Sequence, residues 1–322
     1  MPAPSAGSVS RNHSALLGPR DAMRAATGSN TRANGEPTSR PARENRDTKT
    51  MATFVVVPAW QGSGSSRAMR LIDGAEAIRG DLPSSATSLV DVPAEAGESL
   101  ETGVNRLSSL RIIRERQDAA LRAAIAPVIT VGGGCSVELA AVDSVLSASD
   151  DTCVLWFDAH PDLNTPEDSP SGSFDGMVLR ALIGEGIPEL SPKTPLAPER
   201  LVIIGARDID PGEQARLDSS PIRTLSVEDA TPAALVDAVT ASGAKRVYVH
   251  VDLDVLDPAD IAGTDWAEPF GLPAATLVEL IGAVRAEFEL AGAGITGFAP
   301  ASATHAVDDL GTILRILGAL AR

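Results

Sequence analysis

Cysteine is scarce. The 322-residue chain has two, Cys135 and Cys153, too few for a disulfide framework in a domain of this size, so a reducing cytoplasm is the expected compartment. Long apolar runs are missing too. No stretch approaches the ~20 residues that span a bilayer. The first residues also lack the charged-then-apolar order of a signal peptide, so no membrane partner is expected. Positive charge is in deficit: 27 Lys and Arg stand against 43 Asp and Glu, a formal net charge of −16. Such a surface repels the phosphates of nucleic acid and of anionic lipid. It suits divalent cations and cationic substrates, although an acidic surface is ordinarily only a solubility feature.

What is present suffices for a large core. Hydrophobic residues make up 43% of the chain, and the length suits one large α/β domain. The first fifty residues differ from the rest. They are rich in Ser, Arg, Asn, Pro and Gly, and carry eight Arg and Lys against four Asp and Glu, net +4, which leaves −20 for the remainder. That composition cannot bury enough apolar surface to offset the ordering of the chain. Residues 1–50 are therefore expected to be a disordered extension and residues 51–322 the folded domain. Met51 opens MATFVVVPAW, which reads as a natural start running into a first strand.

From Met51 onward, short β-branched runs alternate with helical patterns. TFVVVPA, APVITVGGG, CVLWFDAH, RLVIIGARD and RVYVHVDLD read as buried parallel strands. SRAMRLIDGAEAIRG, VNRLSSLRIIRERQDAALRAAI, AATLVELIGAVRAEFELA and the terminal DDLGTILRILGALA read as helices. The alternation implies an α/β fold, a parallel sheet with helices on both faces. In such sheets the chemistry gathers in loops at the carboxyl ends of the strands.

Three strand ends carry metal-type ligands. VLWFDAHPDLNTP holds Asp158, His160 and Asp162, and an alternating D-x-H-x-D leaving a strand points its side chains one way. VYVHVDLDVLDP holds Asp252 and Asp254, again two apart, and VITVGGGCS places Cys135 after three glycines. Four carboxylates with a His and a Cys would repel one another severely in a low-dielectric cleft. Two divalent cations would compensate, and bridging carboxylates can hold such ions ~3.5–4 Å apart.

These segments resemble a known family. DAHPDLNTP…SGSFDGM and HVDLDVLDP look like the signature motifs of the arginase, agmatinase and formiminoglutamase (ureohydrolase) family. GGGCS looks like its GGDHS, and IGARDIDPGE is similar to the IGLRDVDPGE-type segment of the arginase branch. The resemblance implies a three-layer α/β/α fold around a central parallel, eight-stranded sheet. It implies two divalent metal ions, manganese by family habit, bridged by Asp158 and Asp252. Asp162 and Cys135 would complete one site, and His160 and Asp254 the other. A bridging water, as hydroxide, would attack the guanidinium carbon of a guanidino or amidino substrate. Asp162 and Asp175 are the catalytic candidates. Asn164, Ser171, Ser173, Asp210 and Glu213 would hold the amino-acid head group of the substrate, although such residues also cap and turn loops. Family members assemble as trimers or hexamers, so a homo-oligomer is expected.

Four positions depart from the family pattern. Cys135 replaces a His ligand. A thiolate is soft and favours Zn, Co or Fe over Mn. It also adds a negative charge, which acidifies a bridging water less; alternatively, Cys135 is simply a small buried residue beside a weak metal site. Asp175 replaces a shuttle His, and would stay ionised near its ordinary pKa of ~3.9 unless its surroundings raise it. Gly297 stands where arginases carry the Glu that pairs with the guanidinium, a loss of ~2–5 kcal/mol for a buried charge. Trp266 takes a threonine position, and Glu268, two residues on, is a candidate replacement anchor. The expected activity is a urea-releasing C–N hydrolysis. The alternatives are a metal-binding relative with little or no catalysis, and an amide deacetylase on the same fold.

Overall fold

The structure is a computed structural model that describes residues 52–322. The proposed disordered extension, residues 1–50, lies outside the described residues, as does Met51.

Eight strands form one sheet: β1 (Thr53–Val57), β2 (Thr87–Leu89), β3 (Val128–Gly132), β4 (Thr152–Phe157), β5 (Leu201–Ile204), β6 (Arg223–Leu225), β7 (Arg246–Asp252) and β8 (Glu289–Thr296). Their order is β2-β1-β3-β8-β7-β4-β5-β6, with every pairing parallel. This agrees with the eight-stranded parallel sheet expected from the resemblance. The central strands are buried on both faces, which is why β4 and β7 read as near-continuous apolar runs. The edges β2 and β6 are three residues each and partly exposed.

Two helix layers sandwich the sheet. On one side α1 (Arg70–Gly80), α6 (Pro232–Ala241), α7 (Ala274–Glu287) and α8 (Ala303–Ala321) pack against Leu155, Phe157, Val249 and Val251. On the other, α2 (Leu107–Ala123), α3 (Glu138–Ala148), α4 (Val178–Leu182) and α5 (Pro211–Asp218) cover Val154, Trp156 and Tyr248. Burying one such large side chain contributes roughly 1.5–3 kcal/mol. No helix among the described residues is long and apolar enough to cross a membrane.

The period-two alternation of the strands positions the site. In β4, Val154 and Trp156 face α3, so Asp158 at the exit continues on that face. In β7, Tyr248, His250 and Asp252 follow the same rule, and Trp156 and His250 lie side by side in the register. Several boundaries differ from the expected ones: α1 begins at Arg70, α8 already at Ala303, and the ELA at the end of AATLVELIGAVRAEFELA belongs to β8, because α7 stops at Glu287. β8 is Gly- and Ala-rich (ELAGAGIT), which masks it as a strand.

Candidate metal centre

The carboxyl ends of β3, β4, β7 and β8 open into one pocket, walled among others by Cys135, Asp158, His160, Asp162, Asp252 and Asp254. All six residues expected as ligands are therefore brought together. They fall into two groups whose donor atoms lie within 4.8 Å of one another: Cys135, Asp158, His250 and Asp252 form one, and Asp158, His160 and Asp254 the other. Asp158 is common to both. Asp252, expected to bridge, belongs only to the group that contains Cys135, and Asp162 belongs to neither group. Asp162 lines the pocket with a left-handed backbone (φ 52°), and its buried Oδ2 has no hydrogen-bond partner.

The loops hold these side chains in place. The His160 N–H donates to Asp158 Oδ1 at 2.7 Å, the Asp254 N–H to Asp252 Oδ1 at 3.0 Å, and the Ala159 N–H to Asp254 Oδ1 at 3.0 Å. Trp156 Nε1 donates to Asp158 Oδ2 at 3.1 Å, and Thr296 Oγ1 to Asp252 Oδ2 at 2.9 Å. His160 Nδ1 lies 3.0 Å from Asp254 Oδ2 and 3.4 Å from Asp158 Oδ1. The Cys135 thiol donates to Asp252 Oδ2 at 3.0 Å. Arg207, of the RDIDPGE segment, ties two loops together by donating to the Asp254 and Glu268 carbonyls at 2.7 and 2.8 Å.

Electrostatically the cleft is short of positive charge. Burial, then the charges of Asp254 and Asp158, push the Asp252 carboxyl up to about 7. Burial with Asp158, Glu213 and Asp252 raises Asp162 well above the carboxylate range. The Cys135 thiol is raised by burial and by Asp252, Asp162 and Asp158. Asp158 alone is held low: burial would raise it, but contacts with His160 and His250 outweigh burial. Both imidazoles are raised in turn. Burial opposes this, and for His160 Asp254 and Asp158 prevail, while for His250 Asp158 and Glu138 carry it to about 9. Carboxylates crowded this closely would ionise together more readily beside a cation.

The head-group candidates line the same pocket but already have structural work. Asp210 caps α5 in a reciprocal capping box with Glu213, whose Oε2 accepts from the Asp210 N–H at 2.9 Å and whose Oε1 accepts from the Leu163 N–H at 2.9 Å. Burial raises Glu213 to about 7. Asn164 Nδ2 donates to Asp210 Oδ2 at 2.9 Å, while its buried Oδ1 is unpartnered. Ser173 donates to the Gly62 carbonyl at 2.5 Å, and the Ser171 hydroxyl accepts from the Ser173 N–H at 3.2 Å.

Asp175 does not behave as an ordinary exposed carboxylate. Burial raises it to about 7, against the hydrogen bond from the Ser136 N–H (2.7 Å to Oδ1) and with help from Asp265 and Asp252. Its carboxylate packs on Gly134, where a Cβ would collide with Oδ2. Gly134 stands where the GGDHS pattern has Asp, and the Asp175 carboxylate fills the space that a side chain there would take. Gly297 is forced: its φ is +83°, and a Cβ would collide with Asp252 Oδ1. Glu268 does not line the pocket; its carboxylate groups with His160 and Asp208 instead. Trp266 does line it, half-exposed, with its ring 6.3 Å from that of His160.

Three site residues do not emerge from the sequence reading. His250 continues the alternation of Asp252 and Asp254 one step earlier, a signal that the motif does carry. Asp265, buried beside Trp266, lines the pocket with an unpartnered Oδ1. Glu138 is fully buried next to His250, which only the sheet order reveals.

Comparison with known proteins gives a consistent picture. The sequence profile described as the arginase family matches residues 1–312. The arginase of Staphylococcus aureus (strain MRSA252) is 31% identical over 199 residues, 58% of this chain and 64% of that protein. The N(omega)-hydroxy-L-arginine amidinohydrolase of Streptomyces lavendulae is 34% identical over 187 residues, 58% of this chain and 66% of that protein. The alignments thus span just under two thirds of either relative. In three dimensions the Entamoeba histolytica arginase, solved with L-ornithine, superposes with a TM-score of 0.74 at 22% identity, covering 84% of this chain and 97% of that one, a likeness of fold.

Proposed function

The chain belongs to the arginase family, and on that premise we propose that it hydrolyses a C–N bond of a small guanidino or amidino compound at a centre of two divalent cations. The observation that carries this reading is Asp158, whose two carboxylate oxygens serve two donor groups at once: Oδ1 faces His160 at 3.4 Å and Oδ2 faces His250 at 3.6 Å. The donor set fits cations. It is built of carboxylates, imidazoles and a thiol, and the buried, unpartnered Oδ2 of Asp162 is an acceptor with nothing to accept. When bound, the cations would supply acidity and orientation to the attacking water.

The chain's own residues provide the rest. Asp265 is the proposed anchor for the substrate cation. It is 8% exposed, its Oδ2 accepts from the Ser63 hydroxyl at 2.5 Å, and its Oδ1 is left without a partner. Asp175, buried in the pocket and raised to about 7 in the cation-free cleft, is the group proposed to take a proton from the attacking water at Oδ2 and return it to the leaving nitrogen. Asn164 Oδ1 and Asp210 are acceptors for an ammonium group. The cavity, roughly 250 Å³, suits a molecule of amino-acid size rather than a polymer. Both cysteines are free and buried, which suits the cytoplasmic location proposed for the protein, and assembly as a trimer or hexamer is proposed from the resemblance alone.

A second reading, a metal-binding relative with little turnover, is favoured by one observation: Gly297 cannot carry the usual anchor without displacing Asp252. The deciding experiment is metal analysis of the purified protein, then a screen for urea and ammonia release over guanidino and amidino compounds. Bound metal without any release would support the second reading.

A further inference from the structure

We infer that His250 is a ligand of the thiolate-bearing metal site and that Glu138 is the residue that orients it. The two halves of the centre would then differ in kind. One offers sulfur, nitrogen and two carboxylates from Cys135, His250, Asp158 and Asp252; the other offers only nitrogen and carboxylates from His160, Asp158 and Asp254. The inference rests on the two-cation reading and assigns to His250 the place that the resemblance gives to Asp162.

The spacing is that of donors around one ion. His250 Nε2 lies 3.6 Å from Asp158 Oδ2 and 3.7 Å from Cys135 Sγ, and Cys135 Sγ lies 3.7 Å from Asp158 Oδ2. Bonds of ~2.3 Å to sulfur and ~2.0–2.2 Å to nitrogen and oxygen, arranged tetrahedrally, separate neighbouring donors by about 3.3–3.6 Å. The Cys135–Asp252 edge is shorter, 3.0 Å, because a thiol proton sits in it. A metal ion displaces that proton, so the edge is free to open.

The other side of the ring is built to hold it. His250 Nδ1 lies 3.5 Å from Glu138 Oε2, and both side chains are fully buried. Glu138 occupies the first turn of α3, where the helix dipole favours a carboxylate. The same Oε2 accepts from the Tyr248 hydroxyl at 2.6 Å. Its Oε1 has no partner and lies against Gly294 of β8, where any Cβ would collide with it. Trp156 stacks on the imidazole, ring centroids 3.6 Å apart, and through Nε1 holds Asp158 as well. The carboxylate 3.5 Å behind the imidazole, at an Nδ1 that has no other partner, favours the proton on Nδ1 and leaves the Nε2 lone pair for the metal. That chain of contacts is the usual company of a ligating histidine.

The chemical consequence is selectivity. Thiolate with imidazole prefers zinc or cobalt, whereas the carboxylate-rich half tolerates a harder ion such as manganese. The centre can therefore hold two unlike metals.

The test uses the full chain, stripped of metal and titrated with Co(II), with the visible ligand-field and near-ultraviolet thiolate-to-cobalt bands as readout. The native protein is expected to bind two equivalents and show both signatures. His250→Ala should lose one equivalent or bind it at least tenfold more weakly, with the ligand-field bands moved. Glu138→Gln, nearly the same shape, should keep the stoichiometry but weaken that site by about 10–100-fold. It also decides the matter should His250→Ala fail to fold. Native stoichiometry, affinity and spectrum in both variants would overturn the role of His250 while leaving the two-cation reading standing. No cobalt bound by the native chain would overturn that reading itself.

Discussion

Asp265 and Gly297 are joined through their backbones: the Asp265 N–H donates to the Gly297 carbonyl at 2.9 Å. The bond ties the position that has lost a carboxylate to the neighbour that supplies one. Gly297 has no side chain to offer, and Asp265 lines the pocket with a buried oxygen unsatisfied. On the reading proposed above, Asp265 would take the place of a substrate anchor at Gly297, just past β8.

Asp265→Asn should therefore weaken binding of a guanidinium or amidinium ligand. Removing one partner of a buried charge pair costs about 2–5 kcal/mol, so KM or the inhibition constant of guanidinium ion should rise at least about thirtyfold. Glu268→Gln, at the rim with His160 and Asp208, should shift it little. Equal effects of the two substitutions in a competition assay would remove Asp265 from the anchor role.

Asp158→Ala should remove both metals, because that carboxylate belongs to both donor groups, whereas Asp252→Ala should remove chiefly the one beside Cys135. Elemental analysis of the purified variants checks this. Full metal content in Asp158→Ala would contradict the shared-ligand arrangement.

Stability of the metal-free protein should fall as pH rises. Asp175 and Asp252 are each raised to about 7 from an ordinary value of 3.8. Below the unfolded value both states are protonated and neither group matters. Between there and about 7 the unfolded chain releases protons that the folded one keeps, so folding weakens, and above that the full penalty persists. The melting temperature of stripped protein should therefore be higher near pH 5 than near pH 8, and Asp175→Asn should raise it at pH 8. Divalent metal should reverse the trend, since cations stabilise the ionised carboxylates. A stripped protein that gains stability from pH 5 to 8 would refute this.

The outline of the candidate centre is legible in the sequence because its candidate ligands announce themselves locally. Asp158, His160 and Asp162 leave one strand with alternating side chains, and Asp252 and Asp254 leave another, so residue type and period suffice. His250 is less visible because it sits inside the apolar run of β7, although the alternation extends one step back to it. Glu138 cannot be read at all. It lies on α3, 112 positions from His250, and only the order β3-β8-β7-β4 brings them together. Sequence proximity to Trp266 favours Glu268 as the replacement anchor, yet the loop turns Asp265 into the pocket and Glu268 outward. β8 is hidden by its small residues, which leave room for Glu138 at Gly294 and, just past the strand, for Asp252 at Gly297.

Replacing Cys135 by His should move metal preference from zinc or cobalt toward manganese, because the softest donor is gone. It should not by itself create strong arginine hydrolysis, since Asp175 still stands in for an imidazole. Relative affinities for Mn, Co and Zn, native against Cys135→His, give the answer, and an unchanged order would show that Cys135 does not ligate.

The most direct measurement is steady-state release of urea and ammonia by the native protein loaded in turn with Mn, Co and Zn, over L-arginine and a panel of amino-acid-like guanidino and amidino compounds. Turnover of one such compound with Zn or Co, faster than with Mn and faster than of arginine, is the expected result. No release from any compound with any metal would contradict the proposed hydrolysis, and efficient arginine hydrolysis by the Mn-loaded protein would contradict the role of Cys135 as a soft ligand that sets the metal preference.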